Sequence, residues 1–309
     1  MNITLGRVAI VGATGPTGRN LVPELIRRGT AVRVISRSRA HLERTFADVE
    51  AEIAPADALD AAAVGEAVRD CDLVVDCIGL PPSRMDEHAA TAHTLVAAAE
   101  RAEARLLQVS SFWSFLPVRE LPLTEIHPRH GGNRYACARR EAEDVMLAAG
   151  AAVVHLPDFF GPLVHTSTLQ MPLREAAAGK TMNWIGSPDT PREYVFVPDA
   201  MSIVADLALR EEAYGDGWIV PGSGPLTGRE AAAMAGAHLG REVKVRGAPG
   251  WLLKTLSLVS SDLRDFRPIL DDYLGPIAYD ATHLVNLLGP RTATPYPEAI
   301  ARTLDALTS

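Results

Sequence analysis

Three regularly spaced glycines follow an apolar run near the start of the chain. The sequence there reads Val8-Ala9-Ile10-Val11-Gly12-Ala13-Thr14-Gly15-Pro16-Thr17-Gly18. The first glycine permits a sharp turn after a strand, the second lets the backbone approach a phosphate, and the third lets the next helix lie close to the strand. The motif therefore predicts a helix N-terminus that binds the phosphates of a nucleotide cofactor. We expect the contacts to come from Gly12, Thr14, Gly15, Pro16, Thr17 and Gly18.

Short apolar runs alternate with Ala- and Leu-rich segments through the first half of the chain. Such alternation is typical of a parallel sheet with crossover helices on both faces. The predicted strands are Val8–Val11, Ala31–Ser36, Glu50–Ala54, Leu73–Ile78, Leu106–Ser110 and Val153–Pro157. The predicted helices are Arg19–Arg28, Leu59–Val68, His88–Ala102 and Ala136–Ala149. The predicted fold class is therefore α/β, a Rossmann-type doubly wound parallel sheet.

The regular pattern ends near residue 160, where Pro- and Gly-rich stretches begin to divide the chain into shorter pieces. Helices are still predicted at Thr168–Ala178, Ala200–Leu209 and Arg229–Leu239. We expect a cofactor-binding domain over residues 1–160, to which later segments can add strands, and a smaller mixed lobe over residues 161–309. That lobe is predicted to be integrated with the first domain and to lie over the carboxyl ends of the strands, where doubly wound folds bind ligands.

Charge and cysteine content exclude several classes of function. The chain has 38 acidic and 30 basic residues without a basic run, which argues against a nucleic-acid partner. Its cysteines, Cys71, Cys77 and Cys137, are too few for a disulfide framework and lack the spacing of metal ligands. We expect no metal site. Because no apolar segment reaches about 18 residues, we also expect no membrane partner and a cytoplasmic location.

The predicted second strand ends in Ser36 and Arg37, where a site for an unmodified adenosine ribose usually has a carboxylate. Arg37, alone or with Arg39, is suited to bidentate pairing with a 2′-phosphate, and the serine hydroxyl adds a donor. This pattern favours NADP over NAD, although arginines at a helix start can also be merely solvated. Asp57 follows the third strand, where it is expected either near the adenine or as a helix cap.

A serine at the end of the fifth strand and a tyrosine 24 residues later suggest carbonyl chemistry. Ser111 can orient a carbonyl oxygen, and Tyr135 can exchange a proton with it while a nicotinamide exchanges hydride with the carbon. Arg139 stands four residues after the tyrosine on one helix face, where its charge would stabilise phenolate. The alternative is that Arg139 forms an ordinary surface ion pair and that Tyr135 is half buried.

At these residues the chain resembles the short-chain dehydrogenase/reductase superfamily, in the extended and atypical branches that include NAD(P)-dependent epimerases and dehydratases. The resemblance rests on the glycine motif, Asp57, the Ser110-Ser111 strand end, Tyr135, and the segments Leu156–Pro162 and Arg192–Asp199. It implies Ser111 and Tyr135 as catalytic residues, with Arg139 where the family usually has lysine. It also implies cofactor contacts beyond the glycine turn from Ser36, Arg37, Asp57, Ala58, Ile78, Gly79, Pro157 and Phe159.

The substrate class is predicted from the residues around this trio. Asp158 stands where sugar-nucleotide epimerases of the superfamily have an asparagine that contacts a diphosphate, and a carboxylate there would repel that group. The expected substrate contacts are largely aromatic, which suits an uncharged, partly apolar molecule, unless these rings only fill the core. They are Phe112, Trp113, Asp158, Phe160, Trp184 and Arg192.

The histidines carry weaker signals. His127 and His130 lie in a Pro- and Gly-rich loop that is expected to be exposed to solvent, with substrate contact as the alternative. His155 and His165 lack a second ligand at metal spacing.

Three functions are compatible with this sequence. The leading hypothesis is an NADP(H)-dependent reductase, or a dehydrogenase in reverse, that acts on a small, partly apolar carbonyl compound. The second is an epimerase or dehydratase that recycles bound cofactor and uses Arg192 to hold an anionic substrate group. The third is a non-catalytic redox sensor similar to NmrA-like proteins. A homodimer through the helices on the outer face of the sheet is also expected.

Overall fold

The computed structural model describes residues 1–258 and 261–308. Its strands are β1 (Arg7–Val11), β2 (Ala31–Ser36), β3 (Glu52–Pro55), β4 (Leu73–Asp76), β5 (Arg105–Ser111), β6 (Ala152–Leu156), β7 (Asp158–Phe160), β8 (Met182–Ile185), β9 (Arg192–Phe196), β10 (Gly217–Ile219), β11 (Pro225–Leu226) and β12 (Val245–Ala248). Its α-helices are α1 (Pro16–Arg27), α2 (Arg39–Thr45), α3 (Ala61–Ala67), α4 (His88–Ala102), α5 (Arg134–Ala148), α6 (Gln170–Ala177), α7 (Val197–Ala208), α8 (Gly228–Leu239), α9 (Gly250–Leu256), α10 (Ser261–Phe266), α11 (Thr282–Leu288) and α12 (Tyr296–Thr308).

A parallel sheet lies at the centre of the described chain. Within residues 1–258 and 261–308 it has seven strands in the order β10-β6-β5-β4-β1-β2-β3. The order reverses between β1 and β4, since β2 lies on one side of β1 and β4 on the other. Ligands of doubly wound folds bind beside the carboxyl ends of the strands at such a reversal.

Helices cover both faces of this sheet. Helices α1 and α7 pack together on one face, where Leu21, Leu25 and Val204 join the apolar side chains of the strands in one core. Helices α3, α4 and α5 cover the other face and form a second core with residues such as Leu95 and Met146. The predicted Rossmann-type fold is therefore confirmed.

The C-terminal half returns to the main sheet and also builds small sheets of its own. Strand β10 pairs in parallel with β6 and extends the main sheet. Strand β9 lies between β7 and β11, while β8 pairs with β12. The division at residue 160 remains a prediction. Helix α7 and strand β10 follow that residue, yet both belong to the layers around the main sheet.

Most predicted elements lie within three residues of the observed ones, and Ala31–Ser36 and His88–Ala102 match completely. The predicted strand Glu50–Ala54 runs instead from Glu52 to Pro55. The predicted helix Leu59–Val68 begins later, at Ala61, because the Asp60 carboxylate caps it by accepting from the amides of Ala62 and Ala63, both at 3.0 Å. Asp57 is therefore not the helix cap. It closes a turn by accepting from the amide of Leu59 at 3.0 Å.

No helix in the described part of the chain is long and apolar enough to cross a membrane.

His88 is a buried titratable group at the start of α4. Its side chain is 1% exposed, and its Nε2 atom has no hydrogen-bond partner among the described residues. Burial, and secondly the nearby Arg139 guanidinium, lower the pKa of His88 to about 2. The imidazole is therefore neutral in the folded protein at any physiological pH, whereas it gains a proton near pH 6.5 once the chain unfolds.

Acidification is expected to destabilise the fold through His88. Between pH 7 and pH 5 the unfolded chain takes up a proton that the folded chain excludes, which lowers the free energy of unfolding by about 2 kcal/mol. The variant His88→Leu should lack this component, as measured by denaturant unfolding at the two pH values. His93→Leu, an exposed position on the same helix, should keep it. An unchanged pH dependence in His88→Leu would contradict the assignment.

The contact at Gly18 is expected to be intolerant of any side chain. A Cβ atom there would lie 2.5 Å from the Cα atom of Ala13 and 2.6 Å from its carbonyl oxygen, both on the backbone. Gly18→Ala should therefore lower the free energy of unfolding by about 1–3 kcal/mol. At Gly65 in α3 a Cβ would meet only the Nη1 atom of Arg101, at 4.0 Å, so Gly65→Ala should be neutral or stabilising by about 0.5–1 kcal/mol. Equal effects of the two changes would refute the steric argument.

Candidate active site

The glycine turn lies at the carboxyl end of β1 and leads into the uncapped N-terminus of α1. Gly12 has φ +79°, and a Cβ there would lie 2.8 Å from the Cys77 carbonyl oxygen, so the turn presses against the end of β4. Gly15 precedes α1 in an extended conformation, and no side chain caps the helix. The first-turn amides are therefore available to an anion, which fits the phosphates of a dinucleotide. Thr14, Pro16 and Thr17 complete the turn as predicted positions.

The adenosine-end residues lie at the neighbouring ends of β2 and β3. Ser36 pairs in register with Pro55, which brings Arg37 close to the segment that holds Asp57 and Ala58. Arg37 is exposed and makes no hydrogen bond or ion pair within the described part of the chain, so its fork is open to a ligand.

An ion pair beside Arg37 was not predicted from the sequence. Arg84 donates to Glu87 through Nε at 2.8 Å and through Nη2 at 2.5 Å, on the 3-10 helical turn that follows β4. The hydrogen bond from Arg84 lowers the pKa of Glu87, and Arg37 lowers it further. The pair therefore lies within electrostatic reach of the proposed 2′-phosphate site. No sequence motif marks it, since a lone Arg and Glu three residues apart are common on surfaces.

Other predicted cofactor residues follow the central strands. Ile78 and Gly79 come directly after β4, and the Ile78 amide donates to the Asp76 carboxylate at 2.9 Å. This side-chain turn ends β4 at Asp76, two residues before the predicted end of the strand. Pro157 and Phe159 lie at the junction of β6 and β7. All four thus lie at the edge where ligands of this fold bind.

Trp113 contacts both the predicted catalytic serine and the predicted catalytic tyrosine. Ser111 is the last residue of β5, and its hydroxyl accepts from the Trp113 amide at 3.2 Å, which starts a 3-10 helical turn. The Trp113 ring then stacks on Tyr135, with the ring centroids 6.1 Å apart and the planes inclined by 23°. Asn133 caps α5 by accepting from the Tyr135 amide at 2.9 Å, which fixes the tyrosine in the first helical turn.

The Tyr135 hydroxyl is hydrogen-bonded in the described structure. It donates to the carbonyl oxygen of Asp265 in α10 at 2.7 Å, and the tyrosine is only 1% exposed. Arg134 lies over the ring, 4.9 Å from its centroid, and its Nη2 atom is 3.4 Å from the hydroxyl oxygen. The cation at the hydroxyl is therefore Arg134. Sequence reasoning missed it because adjacent helical residues do not normally face each other.

Arg139 lies on α5 within electrostatic reach of Asp76, the last residue of β4. Burial lowers the pKa of its guanidinium, while Glu143 and then Asp76 oppose that effect. Asp76 ends β4, accepts from Gln108 at 3.0 Å, and is itself buried. The Nε atom of Arg139 has no partner among the described residues. The guanidinium is thus a half-buried charge that interacts with Glu143 and Asp76, on the helix that presents Tyr135.

Glu143, one helical turn after Arg139, is the centre of a buried network of polar side chains. Its carboxylate accepts hydrogen bonds from Ser110 and Arg129, and its Oε2 atom lies 3.2 Å from His155 Nε2. Burial alone would raise the pKa of Glu143, but His155, Arg129 and Ser110 together hold it below its usual value. This group ties α5 to the ends of β5 and β6.

The prediction that His127 is exposed to solvent is wrong. It was expected on an exposed loop, but it is buried, because its Nε2 atom accepts from the Arg119 amide at 2.9 Å and Phe115 packs against it edge-on. His130 is exposed, as predicted.

Four of the predicted substrate residues lie together. Phe112 packs edge-on against Tyr273 at 5.8 Å, and Trp113 Nε1 donates to the Tyr273 hydroxyl at 2.7 Å. The Arg192 guanidinium lies over the same Tyr273 ring, 4.7 Å from its centroid. Burial raises the pKa of Asp158, and the charge of Arg192 opposes that rise. The remaining two, Phe160 and Trp184, are fully buried in the core of the C-terminal half, where they pack on Phe196 and Tyr194. Tyr273 was missed because nothing in the local sequence marks a residue so distant along the chain.

Comparisons with known proteins agree with this geometry. Residues 12–152 match the model of a family described as NAD(P)H-binding. A ceramide reductase from Caulobacter vibrioides is 32% identical over 164 residues, a match that covers 51% of this chain and 47% of that protein, so the chain spans about half the length of this curated relative.

Two solved structures extend the likeness over nearly the whole chain. A putative epimerase from Burkholderia cenocepacia has a TM-score of 0.81 at 20% identity, with 98% of each chain covered. The UDP-glucose 4-epimerase of Bifidobacterium longum, solved with NAD⁺ and UDP, has a TM-score of 0.79 at 17% identity, again with 98% of each chain covered. Residues 12–152 therefore match the NAD(P)H-binding family model, and the chain has the fold of these two solved structures.

Proposed function

We propose that this protein is an NADP(H)-dependent oxidoreductase that reduces a carbonyl, or oxidises the corresponding alcohol, of a small and partly apolar organic molecule. The observation that carries the proposal is the stack of Trp113 on Tyr135, which joins the Ser111 strand end to the tyrosine at the cofactor edge of the sheet. A carbonyl held there has a hydroxyl donor on one side and a proton donor on the other.

Each residue of the site has a distinct role in the proposed reaction. When bound, the reduced nicotinamide supplies the hydride that the carbonyl carbon receives. Tyr135 holds the proton that the carbonyl oxygen takes up, and Ser111 donates a hydrogen bond that orients this oxygen. Arg134, at 3.4 Å from the tyrosine hydroxyl, stabilises the phenolate that remains. Arg139, which interacts with Glu143 and Asp76, binds the cofactor.

The choice of NADP over NAD is part of the proposal. It is supported by Arg37, which is exposed, directly follows β2 and forms no ion pair among the described residues, at the position where NAD sites usually have a carboxylate. A partly apolar substrate is supported by Phe112 and Trp113 beside the reacting group, and by the ceramide reductase likeness, which concerns a lipid. We also propose a homodimer and a cytoplasmic location.

Two other functions retain support from particular observations. An epimerase or dehydratase is supported by the fold of the solved relatives. Such an enzyme would leave the cofactor unchanged over many turnovers, whereas a reductase consumes NADPH stoichiometrically. A redox sensor similar to NmrA-like proteins is supported by the bond of Tyr135 to the Asp265 carbonyl, which is how a purely structural tyrosine would be held.

Substitution of the proposed acid should abolish reduction without loss of cofactor binding. Tyr135→Phe removes only the hydroxyl and should lower kcat/KM for a ketone substrate by about 10²–10⁴-fold. Ser111→Ala should also lower it, by about 10²-fold. NADPH oxidation with a panel of aliphatic and amide-bearing ketones measures both effects. Tyr214→Phe is the matched control, because its hydroxyl donates to Ala208 at 2.8 Å far from the site. Wild-type rates in both active-site variants would favour the sensor.

Arg37 should decide cofactor preference. Arg37→Ala removes the charged fork and should weaken NADPH binding by about 10–100-fold while leaving NADH binding nearly unchanged. Fluorescence titration of both cofactors measures the effect. Arg44→Ala, an exposed cation on α2, controls for loss of net charge. Equal affinities for NADPH and NADH in the unaltered protein would refute the 2′-phosphate assignment.

A further inference from the structure

Arg192 is a buried cation with unsatisfied hydrogen-bond donors in the substrate half of the proposed reductase. It is 3% exposed, and its Nη1 atom donates to the carbonyls of Gly275 at 2.5 Å and Asp272 at 3.3 Å. Its Nε and Nη2 atoms and the hydroxyl of Tyr279 make no hydrogen bond of normal geometry among the described residues, and the Tyr194 hydroxyl is the polar group that interacts with the guanidinium from the same strand. Buried polar groups are nearly always hydrogen-bonded, so unpaired donors of this kind require an explanation.

The strand register brings these donors to one face. Arg192 and Tyr194 are two residues apart on β9 and point to the same side, and Asp158 of β7 stands opposite Tyr194 in the parallel pair. Residues of the C-terminal segment cover that face. Ile277 bridges to Arg192, and two residues later the Tyr279 amide donates to the Glu193 carboxylate at 3.0 Å.

An aromatic wall connects this face to the reacting group. Phe112 packs edge-on against Tyr279 at 6.1 Å, and Trp113, which stacks on Tyr135, donates to the hydroxyl of Tyr273. The Arg192 guanidinium in turn lies over the Tyr273 ring. Adjoining aromatic side chains thus connect Tyr135 to Arg192.

Asp158 decides what kind of acceptor fits. Burial raises the pKa of this carboxyl, while a hydrogen bond from Thr168 and the charge of Arg192 oppose the rise. Arg192 also counters the burial of Asp272. A phosphate placed here would have to compete with the Asp158 carboxyl for the Arg192 guanidinium, which already favours the charged form of that carboxyl. A neutral acceptor is not repelled and can still use every free N–H and O–H donor.

We infer that Arg192 and Tyr279 bind a neutral carbonyl or hydroxyl oxygen of the substrate, such as that of an amide, next to the carbon that is reduced. This inference rests on the proposed function, because it takes the aromatic wall from Tyr135 to Tyr279 as the path of one substrate. Asp158 excludes phosphate-bearing molecules from the same place. The substrate class is thus an amide- or hydroxyl-bearing ketone with an apolar remainder.

Two ligands with the same octyl chain test the inference without any turnover. N-octylacetamide is neutral and octyl phosphate is anionic, and their affinities for the full chain saturated with NADPH can be compared by calorimetry. The amide should bind at least tenfold more tightly. Equal or tighter binding of octyl phosphate, or no binding of either ligand, would overturn the inference. Absence of ketone reduction alone would instead count against the proposed function.

Three variants assign the affinity to particular groups. Tyr279→Phe removes one hydroxyl and should weaken N-octylacetamide about 3–10-fold, whereas Tyr214→Phe should not. Arg192→Lys keeps the charge but loses the fork and should weaken it about tenfold. Asp158→Asn should strengthen octyl phosphate about tenfold. Unchanged amide affinity in both Tyr279→Phe and Arg192→Lys would mean that water satisfies these donors, which overturns the inference.

Discussion

The contact between Gly18 and the backbone of Ala13 is the constraint on which the rest of the structure depends. It lets α1 lie against the turn that follows β1, and the helix then points its uncapped N-terminus at the place where the strand order reverses. A larger residue would lift the helix and move both its amides and the apolar face that packs on α7. Close packing and phosphate recognition therefore depend on the same missing side chain.

Charged side chains that are partly or fully buried surround α5, the helix that carries Tyr135. Arg139 is balanced by Asp76 and Glu143, and Glu143 is in turn held by Ser110, Arg129 and His155. Breaking such a group leaves an uncompensated charge, which costs far more than the intact group contributes. The network therefore fixes the position of α5 relative to β5 and β6. Because Tyr135 lies on the same helix, the network also stabilises its position.

The fold could be predicted from the sequence because its signals are local. Apolar runs, helix caps and the glycine spacing all act within about ten residues, and they gave Ala31–Ser36 and His88–Ala102 to the residue. The details of the site could not be predicted, since they depend on distant parts of the chain. Arg134 reaches the tyrosine hydroxyl only because of how α5 begins, and Asp265 approaches from 130 residues away. His127 was misplaced for the same reason, since its burial depends on Phe115 and Arg119.

The hydrogen bond from Tyr135 to the Asp265 carbonyl has a consequence for ligand exchange. A backbone carbonyl oxygen occupies the position that a substrate carbonyl must take in the proposed reaction, at the normal length of 2.7 Å. The free protein thus holds the phenol in the rotamer that donates to a carbonyl, and in the proposed reaction the substrate oxygen would replace the Asp265 carbonyl as its acceptor. Under the proposed function, a ketone would therefore have to compete with the protein's own Asp265 peptide group for the Tyr135 hydroxyl.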